Sequence, residues 1–211
     1  MISHALTIVI NELNRHLTDT YGALTPQAAL GNLAEGFAAS PGNGGLARDL
    51  LYLSMVNISE EKTLMNLPNY VRNDVTLRVT YENPPVFLNF QILMAATHVS
   101  YNDALLVLSR AIRFFQSQNV FTPDSVDPAS ITTNEPINPL DRLESFKLIF
   151  DLYSPTMEEV NHLWGTLGGK QYPFVLYVLR MLDLKFQAVQ SERGLITEVV
   201  SDFYHKNTAD N

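Results

Sequence analysis

The sequence predicts an α+β fold, with a mixed, largely antiparallel sheet flanked by about three helices. Several segments alternate apolar and polar residues with period two, which marks half-buried strands. Other segments repeat apolar residues at spacings of three and four, which marks amphipathic helices. The helices fall too irregularly among the strands for a doubly wound parallel sheet, where the two element types alternate.

Ile2, Leu6, Val9, Ile10, Leu13 and Leu17 line one face of an N-terminal helix, with Asn11, Glu12, Asn14 and Arg15 on the other. Gly22 and Pro26 end that helix or follow its end. Ala28 to Ala39 reads two ways: alanine favours helix, yet the stretch is short and holds Gly31 and Gly36. Ser40-Pro41-Gly42-Asn43-Gly44-Gly45 is a flexible loop. Leu50 to Ile58 reads as a strand, Glu60-Glu61-Lys62 as a charged turn, and Leu64 to Asn73, with Pro68, as loop. Val75, Leu77, Val79 and Tyr81 alternate with Thr76, Arg78 and Thr80, predicting a strand. Asn83-Pro84-Pro85 interrupts it, because proline supplies no ladder donor. Alternation resumes with Val86, Leu88, Phe90, Ile92 and Met94 on one face.

Ser100 or Asn102 can cap a helix over about Asp103 to Gln118. Its expected stripe is Leu105, Leu108, Ile112 and Phe115, broadened by Ala104 and Ala111. Val120 to Arg142 carries Pro123, Pro128, Pro136 and Pro139 and reads as a long irregular loop. Phe146, Leu148, Phe150 and Leu152 predict another strand. Ser154-Pro155 starts a third helix, with Pro155 in its first position and Thr156 and Glu159 placed for a capping box. Val160, Leu163, Trp164 and Leu167 line its buried face, and Gly168 ends it in a left-handed turn. Phe174 to Phe186, nearly continuous in apolar residues, reads as a central strand. The remaining tail has a weak helical pattern at Leu195, Val199 and Phe203.

The 211 residues fit one domain with a sizeable core. A charged fraction of 17% leaves neutral surface, which suits a subunit that buries area against neighbours. The net charge of -8 disfavours nucleic acid, whose binders need lysine and arginine to displace phosphate counterions. It equally disfavours anionic membrane surfaces. The absence of cysteine excludes disulfides, thiolate catalysis and zinc-thiolate or iron-sulfur sites. Met1 to Leu6 lacks the basic and apolar regions of a secretion signal, so the expectation is a soluble chain. No window approaches the roughly 18 apolar residues of a membrane span.

Chemistry finds little support. His4, His16, His98, His162 and His205 form no His-Glu-x-x-His pair, so no zinc or other metal is expected. His162, after Asn161 and near Trp164, is the best catalytic candidate, and a polar residue on a structural helix is the simpler reading. Gly168-Gly169-Lys170 follows a helix and is followed by Gln171, whereas a phosphate loop precedes a helix and continues with serine or threonine. The adjacent pairs Glu60-Glu61 and Glu158-Glu159 diverge and suit solvent rather than acid/base work. No enzyme and no cofactor is therefore expected. Tyr70, Arg72 and Arg78 can contact a partner, a solvated edge being their ordinary role.

Four blocks in order carry a resemblance. They are Ser54-Met55-Val56-Asn57-Ile58 with Glu60-Glu61-Lys62-Thr63-Leu64-Met65-Asn66, and Asn83-Pro84-Pro85-Val86-Phe87-Leu88-Asn89. The later two are Tyr101 to Phe121 with Phe114-Phe115-Gln116, and Leu152-Tyr153-Ser154 through Trp164-Gly165-Thr166-Leu167-Gly168-Gly169-Lys170. Together they resemble the tube-terminating cap proteins of extracellular contractile injection systems, over about residues 1–187. The resemblance implies a fold similar to phage tail terminators, with Ala28 to Leu33 as strand. It implies a cap domain over 1–187 and a separate tail over 188–211. It also implies a structural role: a ring, expected to be hexameric, that stops the inner tube and joins the sheath end to it. The partners are then further copies, inner tube protein and sheath protein, assembled in the bacterial cytoplasm into a particle that can be released. Pro84, Pro85, His162, Trp164, Gly168 and Gly169 become structural signature residues. Glu60, Glu61, Lys62, Tyr70, Arg72 and Arg78 become the expected assembly interface, on or near loops that can reach a neighbour. The alternative is a soluble binding or adaptor module that acts alone.

Overall fold

The computed structural model describes residues 1–23, 27–37, 45–61, 70–73, 75–76, 78–81, 86–184 and 191–194. The chain divides into two compact units, one of residues 1–65 and 86–184, the other of residues 66–85 and 185–211.

The larger unit is built on a six-stranded sheet. Its strands are β1 (Ala28–Leu30), β2 (Leu51–Glu60), β5 (Val86–Ala96), β6 (Val120–Phe121), β7 (Leu148–Tyr153) and β8 (Phe174–Leu184). They lie in the order β1-β2-β5-β8-β7-β6. β1 runs parallel to β2 and every other pairing is antiparallel, as the α+β expectation requires. The strand implied at Ala28 is present but stops at Leu30, and Leu33–Glu35 forms a 3₁₀ turn. β8 is interior, consistent with its apolar sequence.

One face of this sheet carries two helices, α1 (Ile2–Tyr21) and α2 (Tyr101–Ser117). Leu6, Val9, Leu13 and Leu17 of α1 pack with Leu51, Leu53, Phe90, Ile92 and Met94 of the sheet. Gly22 closes α1 in the left-handed conformation, φ 69°. Ser100 caps α2 by accepting from the Asp103 N–H. The buried residues of α2 are Ala104, Val107, Leu108, Ala111, Phe114 and Phe115. The expected stripe is thus rotated, and Leu105 lies 43% exposed. Leu105-Leu106-Val107-Leu108 is a continuous apolar run, so spacing alone satisfies more than one orientation. Phe115 chooses between them by packing 4.9 Å from the Tyr177 ring and 5.0 Å from that of Phe150.

The other face holds α4 (Met157–Thr166), whose Val160 and Trp164 pack with Tyr52, Leu93, Ala95 and Leu176. Thr156 is the N-cap and forms the capping box with Glu159, so Pro155 precedes the cap instead of opening the helix.

Further expectations change. The stretch from Val120 to Arg142 is structured: β6 pairs with β7, and α3 (Pro128–Thr132) and a 3₁₀ turn at Pro139–Asp141 follow. Pro128 and Pro139 start these two elements, because Asp127 and Asn138 cap them and the first helical position needs no donor. Glu60 is the last residue of β2, registered on Leu88, and does not open a turn.

The smaller unit contains β3 (Tyr70–Asn73), β4 (Arg78–Tyr81) and β9 (Ser191–Gly194), in the order β3-β4-β9 and antiparallel throughout. Tyr70 to Asn73 is therefore strand, not loop. Val75 and Thr76 form a turn, because the Asn73 side-chain oxygen accepts from both N–H groups at 3.0 and 3.1 Å. Ser191–Gly194, within the expected tail, pairs with Arg78–Tyr81. The described residues hold nine strands, where the sequence marks strands at 50–58, 75–81, 86–94, 146–152 and 174–186. The glycine loop at 40–44, Lys62, Pro68, Asn83-Pro84-Pro85 and the helical pattern after Leu195 lie outside the described residues.

Candidate assembly surface

The expected interface residues fall in both units. Glu60 ends β2 exposed to solvent. Glu61 follows, donating its N–H to the Phe87 carbonyl and accepting from the Asn89 side chain at 2.8 Å, so β5 holds it in place. Tyr70, Arg72 and Arg78 share the smaller sheet, where Tyr70 is registered on Tyr81, Arg72 on Val79 and Arg78 on Asn73. Tyr70 is 49% exposed and its ring lies 6.5 Å from that of Tyr81. Lys62 lies outside the described residues.

Of the signature residues, Trp164 packs in the core and Gly168 and Gly169 turn the chain, while Pro84 and Pro85 lie outside the described residues. Trp164 is buried, its ring 5.3 Å from Phe174 and 6.0 Å from Tyr172. Gly168 and Gly169 have φ of 91° and 76°. The Gly169 N–H donates to the Trp164 carbonyl at 2.7 Å, which closes the helix end before the chain enters β8. His162 stands on the solvent side of α4, 79% exposed and 3.7 Å from Glu158. At the start of α4 the Thr156 N–H, then the Tyr153 hydroxyl, hold the Glu159 carboxyl below the usual carboxylate range. That same hydrogen bond raises the Tyr153 phenol.

Helix α1 carries a second polar arrangement that periodicity misassigns. Glu12 is 1% exposed; it contacts Arg15 at 2.7 Å and accepts from the Asp127 N–H at 2.8 Å. His4, also buried, accepts from the Leu143 N–H on Nδ1, so its Nε2 carries the proton donated to the Ile131 carbonyl. Asn14 accepts from the Gln27 and Ala28 N–H groups and donates to the Ala28 carbonyl. These side chains tie β1 and the segment around α3 to the helix. The one signal in the sequence is the recurrence of polar residues at positions 4, 11, 12 and 14–15 along a single helix side.

A cleft of about 560 Å³ opens beside this arrangement, lined among others by Thr7, Asn11, Asn14, Arg15, Leu30 and Ser130. Asn11 donates to the Ser130 and Thr133 carbonyls, so the polar groups of the cleft wall already serve the fold. Among the described residues no group of three His, Cys, Asp or Glu side chains could hold a metal ion. No helix of the described residues is long and apolar enough to cross a membrane.

Residues 4–198 match the family model of the Pvc16 N-terminal domain. No curated protein matches the sequence. Among solved structures, the fold is similar to the PVC sheath/tube terminator of an extracellular contractile injection system in its extended state, with a TM-score of 0.56 at 13% identity. That likeness covers 95% of this chain and 65% of the terminator. It is also similar to the tube-terminating cap of the anti-feeding prophage, with a TM-score of 0.57 at 12% identity, over 92% of this chain and 60% of the cap. The chain thus spans under two thirds of the length of each.

Proposed function

The chain belongs to the Pvc16 N-terminal domain family, and on that premise we propose that it terminates the inner tube of a contractile injection particle. Copies form a ring, expected to be hexameric, on the last tube layer, stop its growth and join the end of the sheath to it. The family match over residues 4–198 carries this reading. The shared fold of the two solved terminators supports it. To end a polymer, a subunit must match the tube on one face and offer no template for another layer on the other. That task needs shape and contact chemistry, and neither cofactor nor catalysis. The net charge of -8 favours protein partners over nucleic acid or an anionic membrane. We assign Glu60, Glu61, Lys62, Tyr70, Arg72 and Arg78 to contacts within the particle, which is assembled in the bacterial cytoplasm and can then be released.

Deletion of the gene tests the reading. Particles should then show tubes and sheaths of uncontrolled length, or fail to assemble. Particles of normal length in the deletion strain would sink it. Light scattering of the purified chain, alone and with tube protein, separates a terminator from an adaptor that acts as a monomer.

A further inference from the structure

The outermost strands, β1 and β6, are short, so among the described residues they cover β2 and β7 only in part. β1 pairs with Leu51–Leu53 of β2, and among the described residues no strand pairs with the outer edge of β2 beyond Leu53. On the far side, β6 pairs with Leu148 and Ile149 of β7, and the Phe150 N–H donates to the Asn119 carbonyl. Beyond Phe150 no described strand pairs with that edge. An uncovered strand edge presents unpaired N–H and C=O groups and invites another chain.

The two uncovered stretches lie at one level of the sheet. Met55 is registered on Ile92, Ile92 on Tyr177 and Tyr177 on Leu152, so Met55 and Leu152 are the two ends of a single row. Both point their backbone groups outward. The Leu51 N–H and the Leu53 carbonyl bond toward β1, and strand alternation turns Met55 to the same side. The Phe150 N–H bonds toward β6, and alternation likewise turns Leu152 outward. Both side chains lie on the sheet face that α1 and α2 cover elsewhere, sharing the row of buried Ile92 and Tyr177. Met55 is 42% and Leu152 60% exposed, and Ile58, registered on Phe90 of the same face, is 46% exposed. Three successive antiparallel pairings make β2 and β7 run in opposite directions.

We propose that a second copy of this chain docks here, β7 of one copy adding to β2 of the next with Leu152 opposite Met55. The antiparallel pair then exchanges both N–H···O bonds, and the Leu152 side chain covers Met55 and Ile58. The two edges differ, so the contact is head-to-tail and repeats. Because the row runs level from Met55 to Leu152, each copy joins without a stagger along the strands, and rotation can close the set into a ring. The proposal rests on the terminator reading and names the contact that makes its ring.

The chain has no cysteine, so introduced thiols report this contact alone. Opposed residues in such a pair have Cα atoms about 5.5 Å apart, within disulfide reach. Met55→Cys/Leu152→Cys protein, assembled on inner tube protein and mildly oxidised, is expected to give a ladder of covalent multiples on a non-reducing gel. Either single variant alone should stay monomeric on the gel, and the two single variants mixed should give a dimer band. Both positions are exposed, so the single variants keep the test decisive should the double variant fail to fold. No band from the mixture, while the wild type assembles on the tube, overturns the edge pairing and leaves the terminator reading intact. A dimer from one single variant overturns it too, because that requires a symmetric contact. A wild-type chain that stays monomeric with tube protein overturns both the pairing and the ring.

Discussion

Gly31 shows how much one methyl group can decide. A Cβ there would lie 2.6 Å from Tyr52 Cδ1 and 2.7 Å from Leu46 Cδ2, and Tyr52 is only 3% exposed. Gly31→Ala should therefore lower the unfolding free energy by about 1–3 kcal/mol. Gly165, inside α4, meets nothing within 4 Å of an added Cβ, so Gly165→Ala should stabilise by about 0.5–1 kcal/mol. Urea midpoints check the pair, and equal midpoints would refute the steric account. Tyr177 gives a pH prediction. Burial pushes its phenol up to about 12, against an unfolded value of about 10. The fold holds the neutral form, so stability is unaffected below about 10 and falls as the pH climbs from there toward 12. Tyr177→Phe should reduce the alkaline slope, read as unfolding free energy between about pH 9 and about pH 12. An unchanged slope would count against burial as its cause. Trp164 and His162, two positions apart, show what residue type alone reveals. The indole is core and the imidazole is solvent-facing, as the stripe through Val160, Leu163 and Leu167 predicts.

Element ends were legible because their chemistry is local. Thr156 and Glu159 stand three residues apart and form the capping box; Gly22 and Gly168 take the left-handed conformation that ends a helix. Element faces were less legible. Glu12 reads as solvent-facing, yet the Asp127 N–H and Arg15 satisfy its carboxylate inside the fold, which is what allows a charge to be buried. The prolines between Val120 and Arg142 read as breakers, but a proline after a capping Asp or Asn starts a turn. Asn14 offers the sharpest test at this scale. It satisfies the Gln27 and Ala28 N–H groups along the outer edge of β1, so it both docks that strand and blocks further pairing there. Asn14→Ala should cost about 1–3 kcal/mol by leaving those groups unsatisfied. Hydrogen exchange at Gln27 and Ala28 should accelerate, and native protection there in the variant would show that the clamp is dispensable.

At the scale of the molecule, strand order is the property furthest from the sequence. β4 and β5 flank Asn83-Pro84-Pro85 yet belong to different sheets, and β4 takes β9, more than a hundred residues later, as a neighbour. Ending the chain at Leu184 removes β9, so exchange should rise at those Arg78–Tyr81 amides that face it. Protection equal to that of the full chain would mean the pairing contributes nothing. The row from Met55 to Leu152 has the same non-local origin, since it depends on the registers of four strands at once. No pattern in either segment alone reveals it.

Period, capping chemistry, glycine placement, the lack of cysteine and the acidic balance all operate over a few residues or over the whole composition, so the sequence by itself carries them. Those features set the α+β class, the helix ends and the central apolar strand. Long-range pairing settled the rest: the rotation of α2, the burial of His4 and Glu12, the parallel β1 and the strand order of both sheets. The physical reason is that a strand or an apolar run satisfies its own local rules in several registers and orientations. Contacts between residues far apart in the chain choose among them.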